Sequence, residues 1–243
     1  MRSSRWTGDI PGSYLMNVQL FGIQDKALQE ACFRAYNDWL AEFVSYDPSR
    51  FVGLGLICLM DVPDGVKELQ RCAKKGLKGA MIWASPPEDH DHGDPIYDPF
   101  WAAAQDLNMP LSLHILTGRA QESRGDPRST RIARYMSLPH EVQRAISTMI
   151  SCGVLERFPG LKIVSSENDI GWVPHFLARL DHAFKKFRYL DGSELKMLPS
   201  EYFQRQIWAT FQDDRVGVWL WWSSVAIGVL SLVISFLACP AHL

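Results

Sequence analysis

The segment DPFWAAAQDLNMPLSLHIL, residues 98–116, decides the fold because it joins a helix-like stretch directly to a short apolar strand. Residues 98–108, DPFWAAAQDLN, are typical of a helix, and residues 110–116, PLSLHIL, form an apolar run of strand length. The run carries His114 near its end. A polar ring at the end of a buried strand needs either a hydrogen-bond partner or a chemical role at that end.

The same alternation of strand and helix extends along the chain. The periodicity predicts helices at residues 27–46, 63–75, 98–108, 138–158 and about 171–189, and strands at 50–59, 77–84, 110–116, 161–168 and 206–211. Apolar strands that alternate with helices of this length indicate a parallel sheet under helical cover. The first strand, VGLGLICLMD, does not fit the GxGxxG fingerprint of an open nucleotide-binding sheet. We therefore predict an α/β fold of the TIM-type (β/α) barrel.

Composition excludes several classes of protein. The chain has 243 residues, of which 47% are hydrophobic and 21% charged, so it can bury a full core. The net charge of −2 and the scattered basic residues argue against the basic surface patch that nucleic-acid binding requires. Five cysteines without a CxxC pair argue against a disulfide framework or structural zinc. No apolar run follows the charged amino terminus, which makes a cytoplasmic location the default expectation.

Two candidate site residues stand at the ends of predicted strands. His114 ends the third strand, and Glu167 ends the fourth within SSEN, residues 165–168. In a barrel, ligands gather at the carboxyl ends of the strands, where imidazole and carboxylate together suit a divalent cation. The alternatives are a hydrogen-bonded structural histidine, and a carboxylate that caps a helix or pairs with an arginine.

Three segments resemble the amidohydrolase-related family that includes the aminocarboxymuconate semialdehyde decarboxylases. They are residues 94–114, residues 150–181 and residues 201–214. The resemblance implies a metal-dependent barrel that hydrolyses, or removes carboxylate from, small organic acids. It implies that His114 is a metal ligand and that zinc is the metal. Glu167 stands where the family often has a catalytic histidine, which implies a catalytic role in orienting or deprotonating a metal-bound water.

The sequence departs from this family at both ends. Nothing before Arg50 reads as the family's opening strand with its His-x-His ligands, and no WGSDYPH-like segment with a late aspartate ligand follows Asp214. His90-Asp91-His92 matches the His-x-His pattern of the missing ligand pair, but the turn-forming residues around it predict a solvated loop. Five strands instead of eight predict an incomplete barrel, a domain of residues 1–217 truncated at both ends. Its unpaired strand edges predict self-association.

Residues 218–243 form a separate apolar tail. Residues 218–239 run for 22 residues without a charge, which is long enough to span a bilayer as a helix. We interpret this tail as translation after an altered reading frame near Val218. The alternative is a membrane anchor with Trp219, Trp221 and Trp222 at the interface, which would make the chain membrane-associated.

The sequence therefore predicts a metal-dependent hydrolase or decarboxylase that acts on a small carboxylated or cyclic organic substrate and is impaired by truncation. The alternative is a non-catalytic remnant that keeps the family's surface without its metal centre.

Overall fold

Five parallel strands and the helices between them form the part of the chain that this computed structural model describes, namely residues 20–86, 90–118, 131–211 and 213–223. The strands are β1 (Leu54–Leu56), β2 (Gly79–Ile82), β3 (Leu111–His114), β4 (Ile163–Ser166) and β5 (Ile207–Ala209). The helices are α1 (Lys26–Ser45), α2 (Val62–Lys74), α3 (Asp98–Asp106), α4 (Arg131–Ser151), α5 (Val154–Arg157), α6 (Val173–Phe187), α7 (Pro199–Gln206) and α8 (Arg215–Ser223). The sheet order β1-β2-β3-β4-β5 follows the chain, and each neighbouring pair is parallel. The predicted α/β class with five parallel strands is confirmed.

Side-chain caps fix the first two helices where the sequence predicts them. The Asp25 side chain accepts a hydrogen bond from the backbone N–H of Leu28 at the start of α1. The Asp61 side chain does the same for Asp64 at the start of α2, and Gly76 follows that helix with φ of +91°. Each aspartate satisfies a backbone donor that has no partner within the helix.

The predicted single helix at residues 138–158 is wrong in its bounds. The structure has α4 beginning at Arg131 and a separate short α5 after it. The interruption falls at Gly153, whose φ of +74° is a left-handed conformation that ends a helix and favours glycine. The chain also contains α7 directly before β5, in a stretch for which no helix was predicted.

The core lies on both faces of the sheet. All four residues of β2 and all four of β3 are buried, which fits strands in the middle of a covered parallel sheet. The helical layer contributes Phe100 and Trp101, each with no exposed surface. The strand that ends at His114 and its neighbour β2 therefore lie inside the hydrophobic core.

The Asn37 side chain of α1 covers the outer edge of β1. Its Oδ1 accepts from the backbone N–H of Leu56 at 2.7 Å, and its Nδ2 donates to the Leu56 carbonyl at 2.9 Å. The same Nδ2 donates to Glu68 of α2 at 2.8 Å. This amide takes the place that a neighbouring strand would occupy, so the edge of β1 is closed at Leu56. Within the described residues, β1 and β5 are still edge strands that pair with one neighbour each, and Asn37 covers the edge of β1 at Leu56 only.

The predicted boundary between barrel and tail falls inside a helix. Helix α8 runs from Arg215 to Ser223, across the predicted boundary at residue 217, while residues 224–243 lie outside the described part of the chain. Within the described residues, none of the helices combines the length and the apolar character needed to cross a bilayer. The division into a domain and a tail stays a prediction.

Candidate active site

The parallel register brings the ends of β3 and β4 together. His114 is the register partner of Ser166, so Glu167 is the next residue along β4 from that partner. On the same face of the sheet, the hydroxyl groups of Ser112 and Ser166 lie 2.6 Å apart in a hydrogen bond. The strands therefore place a histidine, a carboxylate and two hydroxyl groups at one edge, as the sequence predicts for His114 and Glu167.

His114 and Glu167 face each other in a buried position. Nε2 of His114 lies 3.4 Å from Oε2 of Glu167, and their side chains are 11% and 4% exposed. Nδ1 of His114 lies 2.7 Å from the carbonyl oxygen of Ile115. Because a carbonyl only accepts, Nδ1 carries a proton, and Nε2 is the ring nitrogen that faces Glu167.

An imidazole nitrogen and a carboxylate oxygen that face each other are groups that one divalent cation can bind together. The separation of 3.4 Å exceeds the range of an ordinary N–H···O hydrogen bond, about 2.7–3.2 Å. Two ligands bound at about 2.1 Å to one tetrahedral cation would lie roughly 3.4 Å apart. The pair therefore has the spacing of two ligands of one metal ion.

Two buried oxygen atoms at this end of β4 are unsatisfied hydrogen-bond acceptors. Oε2 of Glu167 and Oδ1 of Asn168 are both buried without a hydrogen-bond partner. Nδ2 of Asn168 donates to the Ser166 carbonyl at 2.7 Å, which fixes the orientation of that amide. Unsatisfied buried acceptors are costly, and a bound cation or a ligand N–H or O–H group would satisfy them. Within the described ranges, no group of three or more His, Cys, Asp or Glu side chains is arranged to hold a metal ion.

The backbone around Glu167 has an unusual conformation. Glu167 and Asp169 have φ of +60° and +54°, a left-handed region that non-glycine residues seldom adopt. The N–H of Glu167 donates to the hydroxyl group of Thr210, which follows β5, at 2.9 Å. Strain of this kind persists only where surrounding contacts impose it, and it concentrates at functional sites.

The interpretation of His90-Asp91-His92 as a solvated loop is wrong for His92. His90 is exposed and pairs with Asp94 at 2.8 Å, but His92 is only 2% exposed. The His92 ring packs against Tyr97 and Trp101, and Nε2 lies 3.2 Å from the Trp83 carbonyl. Apolar partners from the following helical segment draw this ring inside. The two histidines therefore have separate environments, and neither joins His114.

The buried His92 predicts acid sensitivity. Burial lowers the pKa of His92 from 6.5 to about 4. As the pH falls between these values, the unfolded chain takes up a proton that the folded chain excludes, so stability present above pH 6.5 is lost toward pH 4. The loss is on the order of 2 to 3 kcal/mol. Urea unfolding of His92→Gln at pH 7 and pH 4 should show a smaller pH dependence than wild type.

His140→Gln is the matched control for this measurement, because His140 is exposed on α4. It should keep the wild-type pH dependence. An equal loss of stability in wild type and His92→Gln would contradict the assignment of acid sensitivity to His92.

Sequence reasoning missed three residues of this site: Asn168, Thr210 and Asp214. Asn168 directly follows the predicted site residue Glu167, and no sequence pattern distinguished it from the other polar residues there. Thr210 and Asp214 reach the end of β4 from the neighbouring strand β5 and the loop after it, 43 or more positions away in sequence. The available signal was their position at and just beyond the end of the fifth predicted strand, at the edge where site residues gather.

A parallel sheet with a histidine and a carboxylate at its carboxyl edge is the arrangement on which barrel enzymes build their active sites. The model of the Amidohydro_2 family, described as amidohydrolase, matches residues 6–215. The chain belongs to this enzyme family, which confirms the resemblance stated from sequence.

Two curated relatives are decarboxylases. The chain is 25% identical over 195 residues to gamma-resorcylate decarboxylase of Polaromonas sp. (strain JS666), covering 77% of this chain and 60% of that protein. It is 30% identical over 151 residues to 2-amino-3-carboxymuconate-6-semialdehyde decarboxylase of Dictyostelium discoideum, covering 61% of this chain and 40% of that protein. The chain thus spans about half the length of the curated relatives it matches.

Solved structures share the fold. The 5-carboxyvanillate decarboxylase of Sphingomonas paucimobilis has a TM-score of 0.73 and 25% identity, covering 93% of this chain and 72% of that one. A dihydroxybenzoic acid decarboxylase of Polaromonas sp. JS666, solved with bound manganese and the inhibitor 2-nitroresorcinol, has a TM-score of 0.64 and 23% identity, covering 80% of this chain and 60% of that one. At 23% identity, the similarity to the Polaromonas structure shows a shared fold and nothing about function. Both neighbours support the TIM-barrel type of sheet.

Proposed function

We propose that this chain belongs to a metal-dependent decarboxylase of small aromatic carboxylic acids. The observation that carries the proposal is the approach of Nε2 of His114 to Oε2 of Glu167, which lie 3.4 Å apart in a buried site at the carboxyl edge of the sheet. The decarboxylase relatives and structural neighbours support this reaction over hydrolysis.

The chain's own residues can supply two parts of the reaction. His114 would hold the metal through Nε2, since its Nδ1 is committed to the Ile115 carbonyl. The bound cation would supply positive charge to orient the substrate carboxylate and the groups beside it. Decarboxylation breaks a C–C bond, releases CO2 and leaves the electron pair on the ring carbon, which must then gain a proton. Glu167 would bind the cation through Oε2 and would hold or move that proton at its second carboxylate oxygen.

The inner face of the sheet suits an aromatic substrate. Trp208 of β5 is the register partner of Val164, which is in turn the partner of Ser112 on β3. Trp208 and Val164 are partly exposed on the face that carries Ser112 and His114. An indole surface beside a polar strand end offers stacking to a ring whose carboxylate points toward the cation.

The identity of the metal is a separate proposal. The family resemblance implies zinc, while the Polaromonas neighbour was solved with manganese. One imidazole with oxygen donors accepts either ion, because histidine suits zinc and carboxylate suits manganese. Titrations with Zn²⁺ and Mn²⁺ side by side would decide between them.

A non-catalytic remnant is the second candidate function. It is favoured by the observation that the described residues bring no three metal-binding side chains together. Such a chain would keep the buried pair and bind an aromatic acid without releasing CO2.

One experiment tests both candidates. The purified chain is incubated with Mn²⁺ or Zn²⁺ and a panel of 2,6-dihydroxybenzoate, 5-carboxyvanillate and unsubstituted benzoate, and released CO2 is measured. The proposal expects CO2 from a hydroxylated acid with metal, and none after removal of metal or in His114→Ala. Binding of metal or acid without CO2 release from any member of the panel would favour the remnant.

A further inference from the structure

Asp214, at the end of the loop after β5, contacts the loop that carries Glu167. Oδ2 of Asp214 accepts from the backbone N–H groups of Ile170 and Gly171 at 2.7 and 2.6 Å. Oδ1 accepts from the N–H of Gly217 in the first turn of α8 at 2.7 Å. One carboxylate therefore joins the β4 loop to the start of a helix through three charge-assisted hydrogen bonds.

The packing around this carboxylate leaves no free space. A Cβ atom added at Gly217 would lie 2.3 Å from Oδ2 of Asp214 and 2.3 Å from Cγ1 of Ile170. Real Cβ atoms do not approach other atoms so closely, so only glycine allows α8 to lie against the β4 loop here. Asp214 is thus held at a fixed distance from the loop.

A second contact from the same side reaches Glu167 itself. The hydroxyl group of Thr210 accepts from the N–H of Glu167 at 2.9 Å, and the N–H of Thr210 donates to the Ser165 carbonyl at 2.9 Å. The loop after β4 contains two residues with left-handed backbone conformation, Glu167 and Asp169. Thr210 binds the backbone at the start of this loop, and Asp214 binds the backbone just after Asp169. Left-handed φ values at these residues are costly, and these contacts offset that cost.

We infer that Asp214 is a positioning residue that, together with Thr210, holds the β4 loop in the strained conformation that directs Glu167 toward His114. The expected effect of Asp214 on metal affinity rests on the proposed function. Its expected effect on the position of Glu167 relative to His114 rests on geometry alone. Asp214 acts through Glu167 and does not itself touch the proposed cation.

Asp213 provides a matched control, because it is acidic, adjacent and exposed. Asp214→Asn should lower the affinity for Mn²⁺ by about 10- to 100-fold, as loss of supporting contacts around a metal ligand does. Asp213→Asn should leave the affinity within about twofold, since surface substitutions of this kind rarely perturb a distant site. Isothermal titration of each full-length variant with Mn²⁺ gives these values.

A spectroscopic readout separates positioning from general stability. In metal-free protein, the ¹⁵N chemical shift of His114 Nε2 depends on the Glu167 carboxylate that faces it. The Glu167→Gln variant gives the chemical shift of the same nitrogen without the carboxylate charge. Asp214→Asn should move this resonance toward the Glu167→Gln value, while Asp213→Asn keeps the wild-type value. A variant that melts earlier but keeps both the resonance and the Mn²⁺ affinity would overturn the inference.

Thr210 supplies the second test, in case Asp214→Asn does not fold. Thr210→Val keeps the side-chain shape and removes the hydroxyl acceptor, so it should shift the His114 resonance, and Thr210→Ser should restore it. Unchanged resonances in Thr210→Val would overturn the inference. If the wild-type chain binds no Mn²⁺, the proposed function fails, and the His114 resonance still decides the positioning role.

Discussion

His114→Ala should lower the affinity of the chain for Mn²⁺ by more than about 100-fold, because loss of a ligand costs more than the 10- to 100-fold typical of its supporting contacts. The remaining carboxylate of Glu167 would hold the ion without the imidazole that faces it at 3.4 Å in the wild-type chain. CO2 release from a hydroxybenzoate should fall to the level without metal. Equilibrium dialysis followed by elemental analysis measures the bound ion directly.

His140→Ala is the control for this prediction, since His140 lies exposed on α4 and belongs to no part of the site. It should retain wild-type metal content and stability. Equal metal content in wild type and His114→Ala would show that any bound ion lies elsewhere in the protein.

Asn37→Ala should lower the free energy of unfolding by about 3 to 5 kcal/mol, the range for breaking a buried hydrogen-bond network. Asn37 has no exposed surface, and its amide makes three hydrogen bonds that join α1, the edge of β1 and Glu68. Alanine would leave the N–H and carbonyl groups of Leu56 buried without partners. Urea denaturation monitored by circular dichroism measures the change.

Asn37→Asp tests the same network through charge. Burial acts to raise the pKa of Glu68, but hydrogen bonds from Arg71 and Asn37 outweigh it and hold the pKa below its usual value. A second carboxylate at position 37 would face this ionised group, so Asn37→Asp should also destabilise the chain at neutral pH.

Gln70→Ala, at an exposed position of α2, should change the stability by less than about 0.5 kcal/mol. A loss in Asn37→Ala no larger than this control would mean that the edge of β1 does not depend on the Asn37 amide.

The strands and the central pair could be predicted because their signals are local. Each strand is an apolar run between helices, and His114 and Glu167 are polar residues placed directly at the ends of such runs. A parallel sheet then brings those ends to one edge without further information. The register, in which His114 pairs with Ser166, confirms that the ends of β3 and β4 lie side by side.

The supporting contacts could not be predicted because they depend on residues distant in sequence. Asn37 reaches Leu56 across 19 positions, and Asp214 reaches Gly171 across 43. An asparagine in an amphipathic helix and an aspartate after a strand are ordinary surface residues until the fold buries them. His92 was misread for the same reason, since its polar neighbours in sequence hide the aromatic partners Tyr97 and Trp101.

We propose that the carboxyl ends of β3 and β4 bind a divalent cation between His114 and Glu167. A crystal of the purified chain soaked in Mn²⁺, with diffraction recorded at the manganese absorption edge, tests it most directly. We predict an anomalous peak about 2.1 Å from both Nε2 of His114 and the Glu167 carboxylate, which is the coordination distance usual for these ligands. No peak between these two side chains at saturating Mn²⁺, or one at a different group of ligands, would contradict it.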